Sequence, residues 1–106
     1  MNSSLEMVTF KLAANTSAEQ LLDTSAAMES FLQRQEGFLY RSLSHDDNDL
    51  WYDIIYWKDQ HSAKAGGAAF MKSEVCAAMM PLLDQPSCKV IHMDALSEVL
   101  ATALAA

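Results

Sequence analysis

The sequence predicts an α+β domain of ferredoxin-like type, a four-stranded antiparallel sheet with helices on one face. Three observations predict it. Four segments have strand-like alternation or β-rich composition, and two helical stretches fall between them in the order strand, helix, strand, strand, helix, strand. The chain, at 106 residues, suits one hydrophobic core and therefore one domain over residues 1–106.

The first strand is expected over residues 7–12, where Val8, Phe10 and Leu12 alternate and present one face to a core. Asn15-Thr16-Ser17 ends it. Ser17 with Gln20, or Thr16 with Glu19, fits a capping box, so a helix starts here. Leu21, Leu22, Ser25, Met28, Phe31, Leu32 and Gln35 recur at helical spacing, which predicts one helix of about five turns with an apolar stripe. Gly37 is its left-handed terminator.

Residues 38–44 and 50–57 read as strands rich in aromatic and branched side chains. The intervening His45-Asp46-Asp47-Asn48-Asp49 has turn chemistry, so the two form an antiparallel hairpin. Neither strand is polar along a whole face, which predicts that both faces meet protein or ligand.

After Lys58-Asp59 the helical pattern resumes through Ser62, Ala63, Ala69 and Phe70, with Asp59 or Ser62 as cap. Gly66-Gly67 weakens that helix by roughly 1 kcal/mol per glycine. The pair marks either a close approach to something or, as preferred on sequence grounds, a loose connector. A short helical run over residues 74–80 stops at Pro81. Residues 84–87 are a loop, residues 88–93 the fourth strand, and residues 94–106 a final helix with Leu96, Val99, Leu100 and Leu104 at helical positions.

A formal net charge of -7 with scattered basic residues argues against nucleic acid and against an anionic membrane surface as partners. The N-terminus lacks a basic leader and an apolar core segment, and the apolar C-terminal run is far shorter than a membrane span, so a soluble, cytoplasmic protein is expected. Cys76 and Cys88 form no metal or redox motif and read as reduced thiols.

The stretch from Gly37-Phe38 through the acidic hairpin turn, Tyr56-Trp57, His61-Ser62-Ala63 and Phe70 to the Cys76 segment resembles the antibiotic biosynthesis monooxygenase-like family of the dimeric α/β-barrel superfamily. The resemblance spans roughly residues 7–94. It implies a homodimer whose two sheets form a barrel, each subunit with a cleft between its sheet and helices. It also implies a cofactor-independent monooxygenase, or a related cleft enzyme, acting on a small aromatic or enolisable compound. Haem binding or degradation, and a non-catalytic small-molecule-binding dimer, are the alternatives within the same fold. The first-strand asparagine of several active relatives has no match here, and Thr9 takes its place.

Within that frame the candidate catalytic residues are Trp57, at the end of strand three, His61 just beyond it, and His92 on strand four. A histidine near neutrality can abstract a proton from a phenol or enol, and a tryptophan offers a flat wall for a ring. His61 also reads as an ordinary helix-start residue, and His92, on one face with Val90 and Asp94, as a packed side chain bonded to a neighbour. Tyr40, Asp53, Phe70 and Met79 are the candidate substrate-binding residues. Asp53 is the odd carboxylate of its strand: beside a histidine or Arg41 it would tune a base, and the preferred reading pairs it across a dimer interface. Met79, with Met28, Met71 and Met80, equally suits deformable core packing. His45, His61 and His92 lack ligand spacing, so no metal site is expected and no cofactor beyond the haem alternative. A homodimer and a small aromatic ligand are the expected partners.

Overall fold

The computed structural model describes residues 2–102. Its element order is β1 (Ser4–Phe10), α1 (Ala18–Leu22), α2 (Ser25–Gln33), β2 (Phe38–His45), β3 (Trp51–Trp57), α3 (Gln60–Met71), α4 (Glu74–Met79) and β4 (Lys89–Asp94), with short 3-10 turns at Met80–Leu82 and Gln85–Ser87. The strands pair antiparallel in the order β2-β3-β1-β4. That is the expected ferredoxin-like sheet, with helices on one face.

Local chemistry accounts for most of these boundaries. Ser17 and Gln20 close the capping box reciprocally: the Ser17 amide donates to Gln20 Oε1 at 2.8 Å and the Gln20 amide to Ser17 Oγ at 3.2 Å. Asp59 caps α3 by accepting from the Ser62 amide at 2.8 Å, and Ser73 caps α4 through Cys76. In the hairpin turn Asp46 Oδ1 accepts from the Asn48 and Leu50 amides, and Asp49 takes a left-handed conformation, φ 61°. Gly37 stands at φ 84° directly before β2, with its carbonyl accepting from the Lys58 amide.

Four expectations need correction. The long first helix is two helices, because Thr24 Oγ1 donates to the Leu21 carbonyl at 2.6 Å and tightens the chain between Leu22 and Ser25. β1 begins at Ser4, three residues before the expected start. The final helix is absent from residues 95–101, and residues 103–106 of that expected helix lie outside the described region. Its apolar positions Leu96, Val99 and Leu100 are exposed, with no packing surface among the described residues, and Ser3 ties the backbone back instead, through Ala95 N–H to its carbonyl and its own N–H to Glu98. Gly66-Gly67 is no loose connector: both residues lie inside α3, and a Cβ at Gly66 would overlap the Trp57 indole.

The core lies between sheet and helices and is built on Phe10, Leu21, Met28, Phe31, Leu32, Trp51, Ile55 and Trp57. Strand alternation and register put Glu6, Val8, Phe10, Arg41, Asp53, Trp57 and His92 on this helix-covered face. Leu5, Met7, Thr9, Tyr40, Tyr52, Ile54, Tyr56, Ile91 and Met93 share the opposite face, which no element of the described chain covers.

Candidate functional site

A cavity of about 470 Å³ separates the sheet from α2, α3 and α4. Its volume is in the range of small-ligand pockets. Trp57 enters from the end of β3, buried, with Phe38 packed edge-on to its ring at 5.9 Å between centroids. The indole can lie flat against α3 only because Gly66 has no side chain. Met28, Phe31, Phe70 and Met79 form the helical wall, with Phe31 and Phe70 edge to face at 5.9 Å.

The sheet side of the cavity is charged. Asp53 is 5% exposed, and Arg41 grips it with a bidentate pair, Nε to Oδ1 at 2.9 Å and Nη2 to Oδ2 at 2.8 Å. This pairing is within the chain and on the cavity face, which corrects the expectation of a partner across a dimer interface. The register aligns Arg41 with Ile55 and Leu43 with Asp53, so the guanidinium reaches its carboxylate diagonally between neighbouring strands.

One residue of the cavity lining was outside the sequence reading altogether. Glu6, on β1 two residues before Val8, lines the cavity with its side chain 21% exposed. Burial pushes its carboxyl above the ordinary value of 4.5; the His92 imidazole opposes that shift, and the Asp53 carboxylate adds to it. His92 Nδ1 stands 3.8 Å from Glu6 Oε2. The signal that would have found Glu6 is the alternation of Val8 and Phe10 extended backwards; starting the strand at Met7 cut it off.

Of the expected site residues, the fold gathers Trp57, Asp53, Phe70, Met79 and His92 around this cavity. His92 is not packed, since its side chain is 66% exposed at the rim, on the edge strand. His61 is exposed and does not line the cavity: the first turn of α3 turns Ser62 and Ala63 inward and leaves His61 outside. Tyr40 lies on the other face of the sheet, edge to face with Tyr56. Thr9 is on that other face too, opposite Tyr52 and Lys89. Among the described residues no three of His, Cys, Asp and Glu cluster to hold a metal ion. His61, one of the two histidines named for haem, lies outside the cavity, and His92 stands at its rim with Nδ1 3.8 Å from Glu6 Oε2.

No family model matches the sequence, and no curated protein matches it. Solved structures do match in fold. The cofactor-independent oxygenase SnoaB from Streptomyces nogalater, in its N63A mutant, superposes with a TM-score of 0.75 at 16% identity, over 93% of this chain and 98% of that one. A Chloroflexus aurantiacus protein provisionally named an antibiotic biosynthesis monooxygenase gives 0.68 at 13% identity, over 92% and 96%. A dimeric ferredoxin-like protein of unknown function from Thermobifida fusca gives 0.71 at 9% identity, over 89% and 92%. The chain therefore has the fold of the antibiotic biosynthesis monooxygenase-like proteins. No helix of the described residues is long and apolar enough to cross a membrane.

Proposed function

We propose that this chain binds a small planar aromatic or enolisable compound in the cavity and acts on it as a cofactor-independent oxygenase or a related cleft enzyme. The observation that carries this reading is the make-up of the cavity: an apolar slot walled by Trp57, Phe70 and Met79, with Glu6, Asp53 and His92 on its sheet side. In the reading, Trp57 stacks on the ring of the ligand. The Arg41-held Asp53 is a fixed polar group that orients it, and His92 moves protons at the rim. Such a division suits a substrate that must first lose a proton, since its carbanion or phenolate is the species that meets oxygen. The fold likeness to SnoaB supports the reading.

Two copies are proposed to pair through the uncovered sheet face, whose Tyr40, Ile54, Tyr56 and Met93 are apolar or aromatic. Sheet-to-sheet pairing leaves each cavity on its own helical side. A panel of hydroxylated two- and three-ring aromatics, followed by tryptophan quenching and by an oxygen electrode, tests the function. Saturable quenching with oxygen uptake that Trp57→Phe weakens is expected. Absence of any saturable binding across the panel would sink the proposal, and binding without oxygen uptake would reduce it to a non-catalytic binding module.

A further inference from the structure

Glu6 is the one carboxylate of the cavity without a fixed cationic partner. Asp53 is held by Arg41 at 2.8 and 2.9 Å, which fixes its position and offsets its charge. Glu6 instead projects from β1 toward α3, where a Cβ on Gly67 would stand 3.9 Å from its Oε2. The groups that line the cavity around it are Asp53 from β3, His92 from β4 and Lys64 from α3, with Arg41 of β2 behind Asp53. Lys64 and His92 are exposed, whereas Glu6 is largely covered. A proton on Glu6 therefore has a short path outward, across 3.8 Å to His92 Nδ1 and on to water.

We infer that Glu6 is the proton acceptor of the site and His92 its exit to solvent, and that the ligand is a neutral aromatic carrying an acidified hydroxyl. The inference rests on the cavity being the ligand site. The ligand O–H donates to the Glu6 carboxylate, then the O–H bond breaks. Its electron pair stays on the ligand oxygen, and Glu6 becomes a carboxylic acid. A small rotation brings Glu6 within hydrogen-bond reach of neutral His92, which takes the proton as imidazolium and gives it to water. A ligand already anionic meets the ionised Glu6 and binds more weakly because of like-charge repulsion, whereas the apolar wall accepts the neutral ring. Glu6 supplies the charge that a desolvated proton acceptor needs, and its raised affinity for protons matches it to hydroxyls conjugated to a carbonyl or nitro group.

The experiment compares two probes on the full chain, 4-nitrophenol and 4-nitroanisole, which share a ring and differ in the hydroxyl. Calorimetry across pH is expected to show a bell-shaped affinity for 4-nitrophenol, rising as Glu6 ionises and falling as the probe ionises, and a flat one for 4-nitroanisole. Glu6→Gln weakens 4-nitrophenol by about tenfold, removes the rising limb, and leaves 4-nitroanisole within about twofold. His92→Gln slows ionisation of bound 4-nitrophenol after a pH jump by about tenfold, and added imidazole restores the rate. If both probes bind and Glu6→Gln changes neither the affinity nor the pH profile, the assignment of Glu6 is overturned. An unslowed pH jump in His92→Gln overturns the exit route. If neither probe binds the unmodified chain, the cavity reading falls, and this inference with it.

Discussion

The two faces of the sheet invert the usual arrangement. The helix-covered face, where a core would be expected to be uniformly apolar, carries Glu6, Arg41, Asp53 and His92 among its rings. The uncovered face is dominated by apolar and aromatic side chains, Leu5, Met7, Ile54, Tyr40, Tyr56, Ile91 and Met93, with Lys89 as its charged residue at the strand edge. Ionisable groups are costly to bury and apolar ones are costly to leave wet. Each face therefore carries a cost that the isolated fold does not require. The difference runs along the line that divides the two proposed tasks, ligand chemistry on the covered face and association on the bare one.

The largest expected effect breaks the bare face. Ile54→Asp puts a carboxylate at its middle, on the strand next to β1. If two sheets meet there, the unpaired charge weakens dimerisation by more than about 100-fold, a cost of about 3 kcal/mol or more. Sedimentation velocity across micromolar concentrations checks it. Equal sedimentation of the variant and the unmodified chain, both monomeric, would refute pairing through this face.

On the covered face, Arg41→Met leaves the buried Asp53 without its partner and is expected to cost about 3 kcal/mol, measured by urea denaturation. Replacing both as Arg41→Met with Asp53→Leu recovers most of that, because the uncompensated charge is gone. A stable double variant that no longer binds aromatic probes would show that the pair is kept for the ligand rather than for folding. Gly66→Ala, which drives a methyl into the Trp57 indole, is expected to cost about 1–3 kcal/mol. Gly67→Ala, with ordinary van der Waals room beside Glu6, is expected to change stability far less. Comparable gains from the two would mean that helix propensity, not the contact with Trp57, governs the glycine pair.

How much of this was legible depends on whether the cause is local. The Ser17–Gln20 box, the Asp46 turn and the Asp59 cap are chemistry between residues two to four apart, and they can be seen in the sequence. The bare face was legible as well, since alternation along β2 and β3 leaves no polar side. The glycine pair was visible but ambiguous, because only the fold brings Trp57 across to Gly66. Asp53 and Arg41, twelve residues apart, were candidates for each other, but the strand register decides that they meet. His61 and His92 show the limit most clearly. Both are histidines, and a turn of about 100° along α3 takes His61 away from the cavity while the strand period keeps His92 beside it. The tail at residues 95–101 has a helical pattern without a surface among the described residues to bury it, so pattern alone misreads it.

The smallest effect is the most specific to the contrast between the faces. Glu6 is held above its ordinary value chiefly by burial, so the folded chain prefers it protonated. Stability linked to Glu6 is thus fully present below the ordinary value of 4.5 and is lost as pH rises through its raised folded value. Glu6→Gln removes that dependence: the variant is expected to match the unmodified chain at acid pH and to melt slightly higher at neutral pH. Thermal unfolding at several pH values, read as the difference between the two chains, checks it. A variant less stable at neutral pH would mean that His92 compensates the buried charge more than burial penalises it, and Glu6 would then be half of a structural ion pair. A gain at neutral pH fits the opposite assignment, a carboxylate whose ionisation the fold sustains at a cost, as expected where the charge serves a ligand rather than the core.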